Sequence, residues 1–216
     1  MSITHHLDAS TLMSCAAGSQ PEALAAVVAS HLSVCAHCRA ELRKHERIGE
    51  ALFEGLQPTA VIKDAPVVAM RAEEAVSDVE DVAREPSSSS IPAPLRGVLG
   101  SDLGAVRWRR LAPGIWHYPL PLSPGAEGDL RLLKIAPNMT MPEHGHGGSE
   151  LTLVLSGSYK DTFGTFRTGD VADLGDDLDH QPVADAHEGC VCLIATDRKA
   201  RFKGFLARMV QPLTGL

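Results

Sequence analysis

The feature that most constrains this chain is a break in texture at REPSSSSIPAPLRG, residues 84–97, where four serines and three prolines interrupt any periodicity. Such a segment reads as a linker between two differently patterned halves. Before it, Leu24, Val27, Val28 and His31 recur at helical spacing, and a second stripe runs through Cys38, Leu42, Ile48, Leu52 and Leu56. Pro21 suits the start of the helix carrying Leu24. RAEEAVSDVEDVARE, between Asp64 and Glu85, adds an expected acidic helix. After the break, LRLLKIAP, LTLVLSGSY, DVADL and CVCLIAT are short runs of branched residues divided by Gly, Pro and Asp turns, the pattern of an antiparallel sandwich or barrel. The expected fold class is therefore α + β and multidomain. A small helical bundle spans residues 1–85, a flexible linker 86–96, and a β-barrel 97–216.

Charge narrows the function classes. The formal net charge is -7, which argues against a direct grip on nucleic acid, because phosphate binding rests on Lys and Arg displacing counterions. The opening MSITHHLDAS lacks a basic then apolar leader, and the longest apolar runs, such as LAAVVA, are too short to span a bilayer. A cytoplasmic protein is expected. Five cysteines, an odd count, then point to reduced thiols or metal ligands rather than a disulfide framework.

HLSVCAHC, residues 31–38, is the first chemical constellation. A helix end followed by a tight turn would bring His31, Cys35 and Cys38 to one side. A structural zinc site closes with four N/S ligands, so the N-terminal pair His5 and His6 supplies the candidate fourth, with His6 favoured. Without a metal, the two thiols would be small buried hydrophobes and His31 a capping or surface histidine. His37 lies between the thiols and is expected to point away from them.

The second constellation is PEHGHGGSELTLVLSG, residues 142–157. On a strand, H-x-H puts His144 and His146 on one face; Glu150 and, from a later strand, His180 complete a candidate ligand set. Three imidazoles and one carboxylate suit Zn, Fe, Mn or Ni.

These residues resemble the cupin signature, whose first motif is glycine, five residues, H-x-H, three residues, glutamate, six residues, glycine. Asn138 stands in the first glycine slot, while His144, His146, Glu150 and Gly157 match. In the second motif Gly169 and His180 match, whereas Gly175, Asp177 and Ala184 replace the expected proline, glycine and asparagine. The first half resembles a zinc-binding anti-sigma domain, with His6 in the place of the upstream histidine. Both halves in this order resemble the ChrR family of anti-sigma factors, most closely in HLSVCAHCRAEL, HGHGGSELTLVLSG and CVCLIATD. The resemblance implies an N-terminal domain, held together by Zn2+, that binds an extracytoplasmic-function sigma factor and blocks its access to core RNA polymerase. It also implies a metal-binding cupin β-barrel, needed to release the sigma factor under singlet oxygen or organic peroxides.

Candidate oxidant-sensitive groups in the second half are the histidines, Met139, Met141, and the pair Cys190 and Cys192, which share one face of a strand. The reading is of a non-enzymatic regulator. Its rival is a metal-dependent cupin dioxygenase or isomerase with an accessory helical domain, in which Glu143 serves as acid or base. A DNA-binding repressor is disfavoured by the acidic charge.

Overall fold

The computed structural model describes residues 2–57, 91–145, 148–175, 179–198 and 201–202, with backbone alone for 144–145 and 201–202. The acidic helix expected between Asp64 and Glu85, and His146, lie outside the described residues.

Among the described residues three helices come first: α1 (Ala9–Ala16), α2 (Glu22–Val34) and α3 (Ala36–Glu54). Pro21 precedes α2 with the extended ψ of a capping position, and its missing N–H costs nothing at a helix start. The stripe Leu24, Val27, Val28 and His31 is buried throughout. Cys35 ends α2 by adopting an extended conformation (φ -106°, ψ 104°), and its Sγ accepts the Cys38 N–H at 3.4 Å, capping α3. The two helices meet there at 117°. Among the described residues no single helix is long and apolar enough to cross a membrane.

Residues 91–96, expected as flexible linker, are folded. Ala93–Leu95 forms a 3-10 turn that runs into the one-turn helix α4 (Arg96–Leu99). Ile91 and Leu95 are buried beside α2, and the Arg96 Nε–H donates to the Ile91 carbonyl at 3.0 Å. The composition is that of a linker, yet its two branched apolar residues have a core to enter, and that outweighs the Ser/Pro signal. A second 3-10 turn, Leu103–Ala105, leads into the strands.

Among the described residues eleven strands follow: β1 (Arg109–Ala112), β2 (Ile115–Pro119), β3 (Asp129–Ile135), β4 (His144–Gly145), β5 (Glu150–Asp161), β6 (Gly164–Arg167), β7 (Val171–Leu174), β8 (Asp179–His180), β9 (Val183–Ala184), β10 (Cys190–Thr196) and β11 (Arg201–Phe202). All pairings among the described residues are antiparallel. The main sheet runs β1-β2-β3-β10-β5-β6, with β7 and β9 also paired to β5, and a small sheet runs β11-β4-β8. The long β5 passes from one set of partners to the other at Gly157. There φ is 72°, and a Cβ would sit 2.2 Å from the Gly189 carbonyl oxygen, so only glycine fits. Asn138, in the other glycine slot, also has positive φ (58°), which asparagine tolerates better than most residues.

The sheet has two buried faces. Val154, Tyr159, Leu133, Ile135, Cys190 and Cys192 point into the barrel interior with Phe166, Ala172 and Leu174. Leu151, Leu153, Leu155, Leu130, Leu132, Leu193 and Ala195 form the outer face, where they join Leu24, Val27 and Val28 of α2 in one continuous core. The helices therefore lie on the barrel itself, and α2 is the layer that covers the sheet.

Candidate metal centre

Four side chains from three segments converge where α2, α3 and the N-terminal strap (residues 2–8) meet. His31 comes from the last turn of α2, Cys35 from the junction, Cys38 from the first turn of α3, and His6 from the strap. One donor atom from each lies within 4.8 Å of every other. His31 Nε2 is 3.3 Å from Cys38 Sγ, and His6 Nδ1 is 3.4 Å from Cys35 Sγ and 3.6 Å from Cys38 Sγ. Tetrahedral bonds of ordinary Zn–S and Zn–N length place S and N about 3.5 Å apart. The separations match that edge length, so the residues fit a four-coordinate ion. The structure brings His6, not His5, to the thiols. The His5 ring instead lies 4.2 Å from that of Phe166. His37 is exposed, but its ring packs 4.4 Å from His6 rather than turning fully away.

The electrostatics suit a cation. Burial pushes the His31 pKa down to about 4, against a weaker opposing effect of the Gly169 carbonyl, so the imidazole is neutral near pH 7. Its Nδ1–H donates to that carbonyl at 3.1 Å, which leaves the Nε2 lone pair facing the thiols. Burial pushes the Cys38 thiol up to about 11, and the neighbouring Cys35 adds to the rise. Burial, then His37, lowers the His6 pKa. Without a cation the Cys38 sulfur stays protonated; a divalent ion reverses that preference and is itself favoured by two neutral imidazoles.

Of the second constellation, the backbone of His144 and the side chains of Glu150 and His180 are described. Antiparallel pairing sets His144 in β4 directly opposite His180 in β8. Glu150 opens β5, is 5 % exposed, and accepts the Thr152 Oγ1–H at 3.1 Å. His180 is buried, with Nδ1 3.0 Å from Asp161 Oδ2. A carboxylate on one imidazole nitrogen is the arrangement that orients metal-ligating histidines. Asp161 was not expected from the sequence: it is nineteen positions from His180 and belongs to no ligand motif.

Cys190 and Cys192 face the barrel interior, both are free, and their Sγ atoms are 3.2 Å apart. The hydrogen bond to Cys190, then burial, raises the Cys192 pKa well above its ordinary value. Met141 is buried in the same interior and Met139 packs against it. Glu143 is exposed.

Residues 98–200 match the family model of the ChrR cupin-like domain. The chain is 39% identical over 212 residues to the anti-sigma-E factor ChrR of Cereibacter sphaeroides, covering 98% of each. It also matches a chain in the crystal structure of Rhodobacter sphaeroides SigE in complex with the anti-sigma ChrR, at 36% identity and a TM-score of 0.73, covering 91% of this chain and 100% of that one. A helical layer with a convergent His/Cys cluster, seated on a cupin-type barrel and alike along nearly its whole length, places this chain in the ChrR family of anti-sigma factors.

Proposed function

We propose that the chain binds an extracytoplasmic-function sigma factor through its helical layer and withholds it from core RNA polymerase in the cytoplasm. The observation that carries this beyond family membership is the second half of α3. Ile48, Leu52 and Phe53, with Leu56 just beyond, are 56%, 70%, 76% and 67% exposed, although their spacing is that of a helix face made for burial. A patch of this kind is a docking surface for an apolar partner. The net charge of -7 and the acidic run before Glu85 complement the basic surfaces with which a sigma factor meets polymerase and DNA.

His6, His31, Cys35 and Cys38 would hold Zn2+, whose contribution there is structural: a closed set of four N/S ligands cross-links the strap, α2 and α3. His144, His146, Glu150 and His180 are the proposed ligands of a second ion, Zn2+ or alternatively Mn, Fe or Ni. Residues 1–85 form the inhibitory unit and 97–216 the sensing unit, which responds to singlet oxygen or organic peroxide. Cys190 and Cys192 are its proposed redox-sensitive groups, since oxygen added to a sulfur in this packed interior would be a polar group without room. Membership of an anti-sigma family weighs against the metal-dependent dioxygenase or isomerase.

The test is co-purification of the tagged chain with its sigma factor. The wild type should retain the sigma factor and release it on peroxide treatment. The paired substitution Cys35→Ala and Cys38→Ala should fail to retain it; retention at wild-type level refutes the structural-metal part of the reading.

A further inference from the structure

We infer that Asp170, in the turn between β6 and β7 of the barrel, is a positioning residue for the metal centre of the helical layer. The inference rests on reading His6, His31, Cys35 and Cys38 as metal ligands.

The strap that carries His6 is fixed on both sides of it by the barrel. Asp170 is 1% exposed, and its Oδ1 accepts the Thr4 N–H at 2.7 Å and the His5 N–H at 3.1 Å, the two backbone donors immediately before the ligand. Its Oδ2 accepts the Arg167 N–H at 2.8 Å, which locks the carboxylate into its own turn. The Val171 N–H reaches back to the His5 carbonyl at 3.4 Å, so the strap pairs with the first residue of β7. Beyond His6, Leu7 is buried and the Asp8 N–H donates to Asp173 Oδ2 at 3.0 Å. A loose N-terminus would otherwise lose substantial backbone entropy each time His6 met the ion.

The neighbouring residue acts on a second ligand. The Gly169 carbonyl accepts the His31 Nδ1–H at 3.1 Å, and this selects the tautomer that offers Nε2 to the thiols. Glycine is needed there, with φ at 94° and a Cβ position 2.9 Å from Ile3 Cγ1, so that the strap can close over the turn. One dipeptide of the barrel thus orients two of the four ligands, and a shift of the β6–β7 turn displaces both together. No local motif could have announced this, because Asp170 and Thr4 are 166 positions apart.

The experiment loads the full chain with cobalt(II) as a spectroscopic stand-in for zinc, then measures affinity by chelator competition and the ligand-field spectrum at saturation. The wild type should show thiolate-to-cobalt charge transfer and intense tetrahedral bands. Asp170→Asn, which keeps an oxygen for the strap, should bind about 10-fold more weakly, and Asp170→Ala up to about 100-fold, the range seen for outer-shell partners. Both should shift the ligand-field bands while leaving the far-ultraviolet circular dichroism unchanged. If Asp170→Ala fails to fold, the isosteric Asp170→Asn decides. Wild-type affinity and spectrum in Asp170→Asn would overturn the positioning role. A wild-type chain without thiolate-to-cobalt charge transfer would overturn the metal reading and the inference with it.

Discussion

Val27→Ala tests whether the helices and the barrel are one cooperative unit. Val27 is 0% exposed and sits in the core that α2 shares with the outer face of the sheet. Removing two carbons forfeits about 0.8 kcal/mol each in transfer free energy, and incomplete collapse of the site adds several tenths, for about 2 kcal/mol in all. With a urea m-value of about 2–3 kcal/mol per molar, the midpoint should fall by about 0.7–1 M. Two probes divide the molecule. Trp108 and Trp116, the two tryptophans of the chain, lie on the barrel side, whereas circular dichroism is dominated by the helices. With zinc saturating, fluorescence and circular dichroism should give coincident transitions that shift together. If the fluorescence midpoint stays at the wild-type value while the helical signal melts earlier, the shared-core account is refuted and the two units are energetically separate.

Two further predictions concern protons and the second constellation. In the metal-free chain, the folded-state pKa of His31 lies near 4 against 6.5 for an ordinary histidine, so between those values the unfolded chain binds the extra proton. Stability should therefore rise with pH across that window, or equivalently fall as pH drops from about 6.5 to 4 and level off below, with a slope from this group of at most about 1.4 kcal/mol per pH unit. The lowered pKa of His6 acts in the same direction. Denaturant titrations of the apo-protein and of His31→Gln check this; an identical pH dependence in the two contradicts it. Asp161→Asn, which removes the carboxylate on His180 Nδ1, should weaken metal binding in the barrel by about 10–100-fold in chelator competition. Unaltered affinity would show that His180 does not depend on that carboxylate for its orientation.

The sequence makes the local parts of this molecule legible and hides the long-range ones. HLSVCAHC could be read because three donors fall within one helix junction, where spacing translates directly into geometry. The four longest apolar runs could be read as strands because they are buried on both faces, which makes LTLVL and CVCLIA nearly continuous rather than alternating. That same continuity held a further clue: the outer face needs a cover, and α2 provides it. Short strands such as β1 and β2, with polar residues on both faces, left no comparable signal. Ile91 and Leu95 were lost in a Ser/Pro-rich stretch whose composition says nothing about a neighbouring groove. The apolar stripe on α3 was visible as periodicity, but periodicity cannot tell a face buried within the chain from one left for a partner. Asn138 looked like a departure from a glycine motif; its φ of 58° shows the backbone requirement kept with a different residue. The link from Gly169 and Asp170 to the metal centre was out of reach, since nothing local ties Gly169 to His31, 138 positions away, or Asp170 to the backbone of Thr4 and His5, 166 and 165 positions away.

In the proposed function an extracytoplasmic-function sigma factor docks on the exposed face of α3. Calorimetric titration of the zinc-loaded chain with that sigma factor, repeated for the paired substitution Leu52→Ser and Phe53→Ser, tests it most directly. Both side chains face solvent in the free protein, at 70% and 76% exposure, so their loss should leave the stability of the chain nearly unchanged. The wild type should form an equimolar complex and the double variant should bind about 30- to 1,000-fold more weakly, since two centrally buried anchors at about 1–2 kcal/mol each sum to about 2–4 kcal/mol. Wild-type affinity in the double variant, with its fold intact, would contradict docking on this face.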